Sequence, residues 1–405
     1  MKGSRPLGLL FLTIFIAMLG LSVLFPVLAP LSKELGITTA QTTWLSTVYS
    51  LAQFLSAPWW GHLSETRGRR PILILGLIGF AISFGLFGYM AHLGMEGVLT
   101  GTPLLVALLA ARVAGGLLSS ATLPTAQAYI ADITPPEKRA GAMGLIGAAF
   151  GLGIIFGPAI GGILSQGGNL LIPIFFSSGL ALITALTALA ILPESIHLRP
   201  KTQDNKAKVS FLRGEIPVLL VVSMLTTLAS VGMEQTISFY IQDNLKISGP
   251  EAVKTISIAL FIFGMVAVAV QGGLIRVLAK KMPQSTLIWI GLAVMGAGML
   301  LMPYMHTFWS ITFALCMIGF GSAFIGPSIS AALSLQVAAN QQGSIAGVNS
   351  SATALGRMTG PIIAGYLYQY VSPGSPYLFS GIVLMVLLVV SLGSLKTQKP
   401  AVTAH

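Results

Sequence analysis

Apolar residues run along this chain in long blocks separated by short polar gaps, and a helix needs about 20 mostly apolar residues to cross a bilayer. Twelve blocks of that kind are read, at about 7–31, 40–61, 71–93, 103–131, 140–165, 170–192, 215–241, 252–278, 284–304, 307–335, 344–370 and 376–395. Only Met305, His306 and Thr307 separate the ninth from the tenth. The first block follows Lys2 and Arg5. It is too long for a signal-peptide core and lacks a convincing cleavage site, so it reads as a retained first helix. The one sizeable polar stretch, Pro193 to Gly214, carries Glu194, Arg199, Pro200, Lys201, Asp204, Lys206 and Lys208. It leaves six blocks on either side. The pattern predicts an all-α membrane protein with twelve transmembrane helices. Residues 1–192 are expected as an N-terminal six-helix bundle and 193–214 as a cytoplasmic linker. Residues 215–405 are expected as a C-terminal six-helix bundle with a short tail.

Composition removes the alternatives. Charged residues make up 8% of the 405, against about 25% in a soluble domain. A net charge of +11 would suit nucleic acid, but phosphate-binding patches cluster their cations among stacking aromatics. Here Lys2, Arg5, Arg67, Arg69, Arg70, Lys138, Arg139, the linker cations, Arg276, Lys280, Lys281, Lys396 and Lys399 fall on one side of the twelve spans. Lys33, Lys246 and Lys254 fall on the other. That asymmetry places both termini in the cytoplasm. Arg112 and Arg357 lie inside blocks. The single cysteine, Cys316, permits no disulfide within the chain.

The halves repeat. At an offset of 203 residues, positions 116–164 fall on 319–367 without a gap, and thirteen of the 49 are identical. Gly153, Gly157, Pro158 and Gly162 fall on Gly356, Gly360, Pro361 and Gly365. Matched glycines and prolines mark shared bends and close approaches. Duplicated six-helix halves suit alternating-access transport, with the substrate near the midplane.

Several segments carry candidate chemistry. After the second block stands Gly61-His-Leu-Ser-Glu65-Thr-Arg67-Gly68-Arg69-Arg70. It is expected as a helix end at Gly61 followed by a tight, charged hairpin, which could lock one conformation through ion pairs. Plain positive-inside anchoring would give the same residues. In the fifth block Gly153, Gly157 and Gly161 share a helix face, Gly162 follows, and Pro158 favours a kink. Ordinary small-residue packing is the bland alternative. Arg112 lies about nine residues into the fourth block, roughly 13 Å deep, where it should be paired, bonded to carbonyls or facing a watery cavity. Asp132 closes the same block. Glu234, beside Gln235, is the one acid well inside an apolar block, and it could take and release a proton unless it merely faces outside water. Arg357 could pair with Glu234, bond to carbonyls or meet an anionic group of the substrate. Tyr49, Gln53, Gln127, Phe239, Tyr240, Phe320, Phe324 and Asn349 are weaker candidates for an apolar cavity with scattered polar groups.

These strings resemble signatures of the major facilitator superfamily. Gly61, Leu63, Gly68, Arg69 and Arg70 match its loop 2–3 pattern G-x-L-A-D-R-x-G-R-K, with Glu65 for Asp and Thr66 for Arg. Gly272, Leu274, Lys280 and Lys281 form a worn copy. Gly153-x-x-x-Gly157-Pro158-x-x-Gly161-Gly162 is similar to the full signature of the drug:proton antiporter branch. Leu108, Arg112 and Gly116 match L-x-x-x-R-x-x-Q-G, with Gly115 for Gln. The resemblance implies the major facilitator fold, two pseudo-symmetric bundles with a cavity between them. It further implies proton coupling through Glu234 and Arg112, gating by the loop and glycine residues with Asp132 paired to the loop arginines, and substrate contact at Tyr49, Gln53, Gln127, Gln235, Phe239, Asn349 and Arg357. Some relatives place an acid on helix 7 and many on helix 1, where this chain has none. The function implied is proton-coupled export of small amphiphilic compounds or drugs. A specific transporter of a metabolite, sugar or organic anion is the alternative, and a membrane receptor or lipid-modifying enzyme lies further off. No phosphate loop, metal-binding cluster or nucleophile motif is present in the sequence, so ATP, cofactors, metals and enzyme chemistry are not expected. The expected partners are a small-molecule substrate, protons and the lipid bilayer, without nucleic acid. The expected location is the cell membrane, and the expected state a monomer.

Overall fold

The computed structural model describes residues 4–134, 136–195, 214–279, 281–337 and 341–395. Most of the linker, Pro135, Lys280 and the tail from Lys396 lie outside the described residues, as do the side chains of Lys138, Arg139 and Arg276.

Every apolar block is helical, as a chain in hydrocarbon must be when no water can satisfy its backbone. The first gives α1 (Ser4–Ser22) and α2 (Phe25–Glu34), the second α3 (Thr39–Arg67) and the third α4 (Arg69–Met95). The fourth gives α5 (Gly101–Ser119) and α6 (Thr122–Ile133), the fifth α7 (Pro136–Leu164) and the sixth α8 (Ile172–Ile191). In the second half α9 (Ile216–Leu245) is followed by α10 (Gly249–Ala269), a π turn at Val270–Leu274 and α11 (Ile275–Leu278). Then come α12 (Gln284–Leu301) with a 3-10 turn at Met302–Tyr304, α13 (Phe308–Leu335), α14 (Gln342–Tyr370) and α15 (Ser375–Ser394).

Of the blocks read as continuous, the first and the fourth are broken at prolines. Pro26 and Pro124 have no N–H for the carbonyls of Ser22 and Ser120, four residues back. Side-chain hydrogen bonds lie beside both breaks. Ser22 Oγ, at the first break, donates to Gly153 O at 2.9 Å. At the second, Trp60 Nε1 donates to Leu117 O at 2.6 Å, and the Ser56 and Ser120 hydroxyls share a hydrogen bond at 2.7 Å.

Among the described residues, nine helical stretches are long and apolar enough to cross a membrane. α3 and α14 are not among them, because they carry polar runs such as Thr42-Thr43 and Asn349-Ser350-Ser351. Many large apolar side chains face outward, including Leu55, Val106, Ile183, Phe313 and Val389, a surface suited to lipid rather than water.

The chain divides into two compact units, residues 1–203 with 247–261 and residues 204–246 with 262–405. In the first, Phe80, Phe84 and Phe87 of α4 pack with Leu104, Leu108 and Ile174. A second cluster of that unit gathers Leu10, Ile14, Leu73, Tyr129 and Ala185. In the second unit Leu287, Ala323 and Phe324 form a cluster with Val270 and Ile275.

Candidate functional site

The α3–α4 turn of the first unit is built around one glycine. α3 does not end at Gly61 as the sequence suggested; it runs on to Arg67, because His62 to Thr66 contain no helix breaker. The break falls at Gly68, whose φ of 101° suits glycine alone. A Cβ there would lie 2.5 Å from a carboxylate oxygen of Glu194. That carboxylate accepts from the backbone N–H groups of Arg69 at 2.9 Å and Arg70 at 3.2 Å, capping the positive end of α4. Arg69 Nε donates to Asp132 Oδ2 at 3.0 Å, and its Nη1 donates to Ser64 Oγ at 2.6 Å. Glu65 stands 3.9 Å from the same guanidinium, so the acid that replaces the aspartate of the signature is the outlying member. Arg70 donates to Leu189 O, and Tyr129 Oη donates to Pro193 O at 2.6 Å. Glu194 and Ser64 carry this cluster as much as the signature residues do. Glu194 was read only as part of the polar stretch, since nothing local in sequence ties it to a helix 125 residues away.

The Arg69–Asp132 side chains are only 5% and 8% exposed, so breaking the pair leaves a charge stranded. Asp132→Asn is expected to lower unfolding stability by about 3 kcal/mol, the lower end for a broken buried pair, since Ser64 still holds the guanidinium. Thermal unfolding in detergent checks this; an unchanged melting temperature would rule the pair out as a stabiliser.

The glycine row of α7 meets α1 backbone to backbone. A Cβ on Gly153 would stand 2.7 Å from Phe15 O, one on Gly157 1.8 Å from Ser22 Oγ and 2.9 Å from Leu19 O, and one on Gly161 2.5 Å from Val23 O. Gly162 turns elsewhere, to Ser257 of α10 at 2.3 Å. Pro158 lies inside α7. The second unit repeats the device between α14 and α9. A Cβ on Gly356 would stand 2.4 Å from Met224 O and one on Gly360 2.6 Å from Leu228 O.

Arg112, on α5, is 6% exposed. Its guanidinium carbon lies 4.4 Å from the ring centre of Phe87, 5.3 Å from Phe84 and 5.7 Å from Tyr49. Of the environments expected for it, none includes this cage of rings, whose π faces attract the charge. Phe84 and Phe87 come from α4 and Tyr49 from α3, a convergence that sequence spacing does not reveal. The Tyr49 hydroxyl shares a 2.8 Å hydrogen bond with Ser119 Oγ, to which Gln53 Nε2 donates at 3.3 Å. Arg112, Tyr49 and Gln53 are therefore neighbours, whereas Gln127 is exposed on α6.

In the second unit Glu234 is half-buried on α9 and Arg357 exposed on α14. The arginine's charge acts on the carboxylate, but no contact within 4.0 Å joins their charged atoms. Gln235 is buried, and Asn349 holds a buried Oδ1 without a protein partner. Phe239 is packed rather than available, 2% exposed with its ring 6.1 Å from that of Tyr368.

The comparisons with known proteins agree on the family. The model of the Major Facilitator Superfamily matches residues 10–358 and 274–404. Multidrug resistance protein 2 of Bacillus subtilis is 28% identical over 386 residues, covering 93% of this chain and 92% of the relative. The quinolone resistance protein NorA of Staphylococcus aureus is 25% identical over 390 residues, covering 96% of each. Among solved structures, the human organic anion transporter MFSD10 (TETRAN) aligns with a TM-score of 0.70 at 21% identity, over 96% of this chain and 100% of that one. The nucleoside transporter NupG aligns with a TM-score of 0.72 at 14% identity, over 96% and 100%. With its helices, its glycine-packed pairs and its charged α3–α4 turn, this multi-pass chain belongs to the major facilitator superfamily, a family of membrane transporters and not of enzymes.

Proposed function

We propose that this protein is a proton-coupled exporter of small amphiphilic compounds, working by alternating access in the cell membrane with both termini in the cytoplasm. The observation that carries the reading is the complete G-x-x-x-G-P-x-x-G-G string at Gly153 to Gly162, set in a chain that matches drug-resistance transporters almost end to end. Glu234 is the proton carrier, with the charge of Arg357 as its counterpart, and Arg112 enters the coupling as a fixed positive charge. The α3–α4 cluster holds or releases conformations, and the glycine rows keep their helix pairs moving as rigid units. Tyr49, Gln53, Gln235 and Asn349 supply substrate contacts. Gln127, exposed on α6, joins that group. The protein acts as a monomer.

The test uses purified protein in liposomes with an imposed pH gradient. Addition of lipophilic cations, neutral drugs or zwitterionic drugs is expected to collapse the gradient in proportion to the protein present. A response confined to sugars or nucleosides would replace the drug reading with the metabolite one. That second reading draws on the two arginines, Arg112 and Arg357, which stand well inside apolar blocks of the sequence, where Glu234 is the one acid at comparable depth.

A further inference from the structure

We infer that Arg112 is the anchoring point for an anionic group on the substrate, a carboxylate carried by an aromatic amphiphile. The inference rests on the exporter reading and names the chemistry of what is carried.

The argument begins with what the cage lacks. A guanidinium presents five N–H donors in a planar fork. Here the group is 6% exposed, and no described protein atom accepts a hydrogen bond from it; Nε in particular is buried without a partner. Ring faces attract its charge but offer no acceptor oxygen. The hydroxyl of Tyr49 is already engaged with Ser119. No carboxylate among the described residues forms an ion pair with it within 4.0 Å. Three acids of this unit, Glu65, Asp132 and Glu194, are gathered instead at the α3–α4 turn. A buried charge without a pairing group is costly and marks a functional position.

The chain's own departure from the family signature leads the same way. Gly115 stands where the signature has glutamine, one turn from Arg112. A Cβ at Gly115 would lie 2.6 Å from Ser83 Oγ and 3.4 Å from the Tyr49 ring. No amide side chain fits, so the neighbour that could have accepted from the guanidinium is excluded by packing. The complementary group must come from outside the chain. It must be planar, bear two oxygens to meet the fork, and sit on a scaffold that tolerates the rings of Tyr49, Phe84 and Phe87. An aromatic carboxylic acid meets all three requirements.

The experiment compares a quinolone carboxylic acid with its carboxamide. Binding to the purified protein is measured in detergent without any gradient. The wild-type protein is expected to bind the acid more tightly. Arg112→Gln is expected to weaken the acid at least tenfold and the carboxamide less than twofold, with Arg112→Lys in between. Phe87→Leu, which removes the nearest ring, is expected to weaken the acid selectively by a smaller factor. It stands in should Arg112→Gln elute as aggregate. Equal weakening of both ligands, no weakening of the acid, or wild-type preference for the carboxamide would each overturn the assignment. Glu234→Gln separates this idea from the exporter reading. It is expected to leave the acid-to-carboxamide binding ratio unchanged while ending proton-driven flux of both.

Discussion

Replacing Glu234 by glutamine is expected to abolish proton-driven transport while leaving the fold and substrate exchange intact. Glutamine keeps the shape of the side chain and removes only its ability to take and release a proton. One proton moving down 100 mV contributes about 2.3 kcal/mol. The substrate gradient sustained at that driving force should therefore fall roughly 50-fold, to the passive level, if one proton moves per cycle. Exchange of substrate for substrate across the membrane needs no net proton movement and should persist. The physical setting favours this residue over the acids of the α3–α4 turn. Glu65, Asp132 and Glu194 belong to the turn cluster, where cations or backbone donors already hold them. Glu234 has only the more distant charge of Arg357. Accumulation against a gradient in Glu234→Gln vesicles at wild-type levels would remove it from the coupling path.

The second large effect is expected at Gly157. Alanine there would place a carbon 1.8 Å from the Ser22 hydroxyl and 2.9 Å from the carbonyl of Leu19. The hydroxyl can rotate, but the backbone carbonyl cannot move without separating α1 from α7. Overpacking of this kind costs about 1–3 kcal/mol. It should also stop transport, because the break in helix 1 is held to α7 at this point by the Ser22–Gly153 bond. Gly356→Ala, whose Cβ would meet Met224 O at 2.4 Å, should behave alike in the second unit. Gly151 supplies the control, since a Cβ there meets nothing within 4 Å. Gly151→Ala should be neutral or stabilising by up to about 1 kcal/mol, as removing a helix-interior glycine usually is. Melting temperature and flux measured on the three variants decide the matter. A Gly157→Ala protein that matches Gly151→Ala would show that close backbone approach is not what the glycine row provides.

The helices were legible in the sequence because a bilayer demands blocks of a definite length, and all twelve blocks recur as helix. Their breaks were not. Pro26 and Pro124 interrupt backbone bonding without interrupting hydrophobicity, so blocks one and four read as single spans. The glycine rows were legible as rows, while their targets on α1 and α9 were not, because a glycine records that something comes close but not what does. The turn cluster shows the same limit. Arg69, Arg70 and Asp132 were marked by their spelling. Glu194, which caps α4, stands in the sequence only as one charge of a polar stretch, and Gly61 has the look of a helix end although the positive φ that ends α3 belongs to Gly68. Arg112 was conspicuous as a charge in an apolar block, yet its aromatic surroundings arise from packing of α3 and α4 and leave no spacing signal along the chain.

The glycine-lined contacts between α1 and α7, and between α9 and α14, also supply the molecule with internal rulers. Helices that touch through their backbones have no compliant side-chain layer between them, so their separation is fixed by atoms that cannot reorient. Spin or fluorescent labels on the outer faces of either pair should report one constant distance whatever the substrate or proton load. Distances involving other helices can then be calibrated against that constant, which separates real movement from label drift in any record of the working cycle.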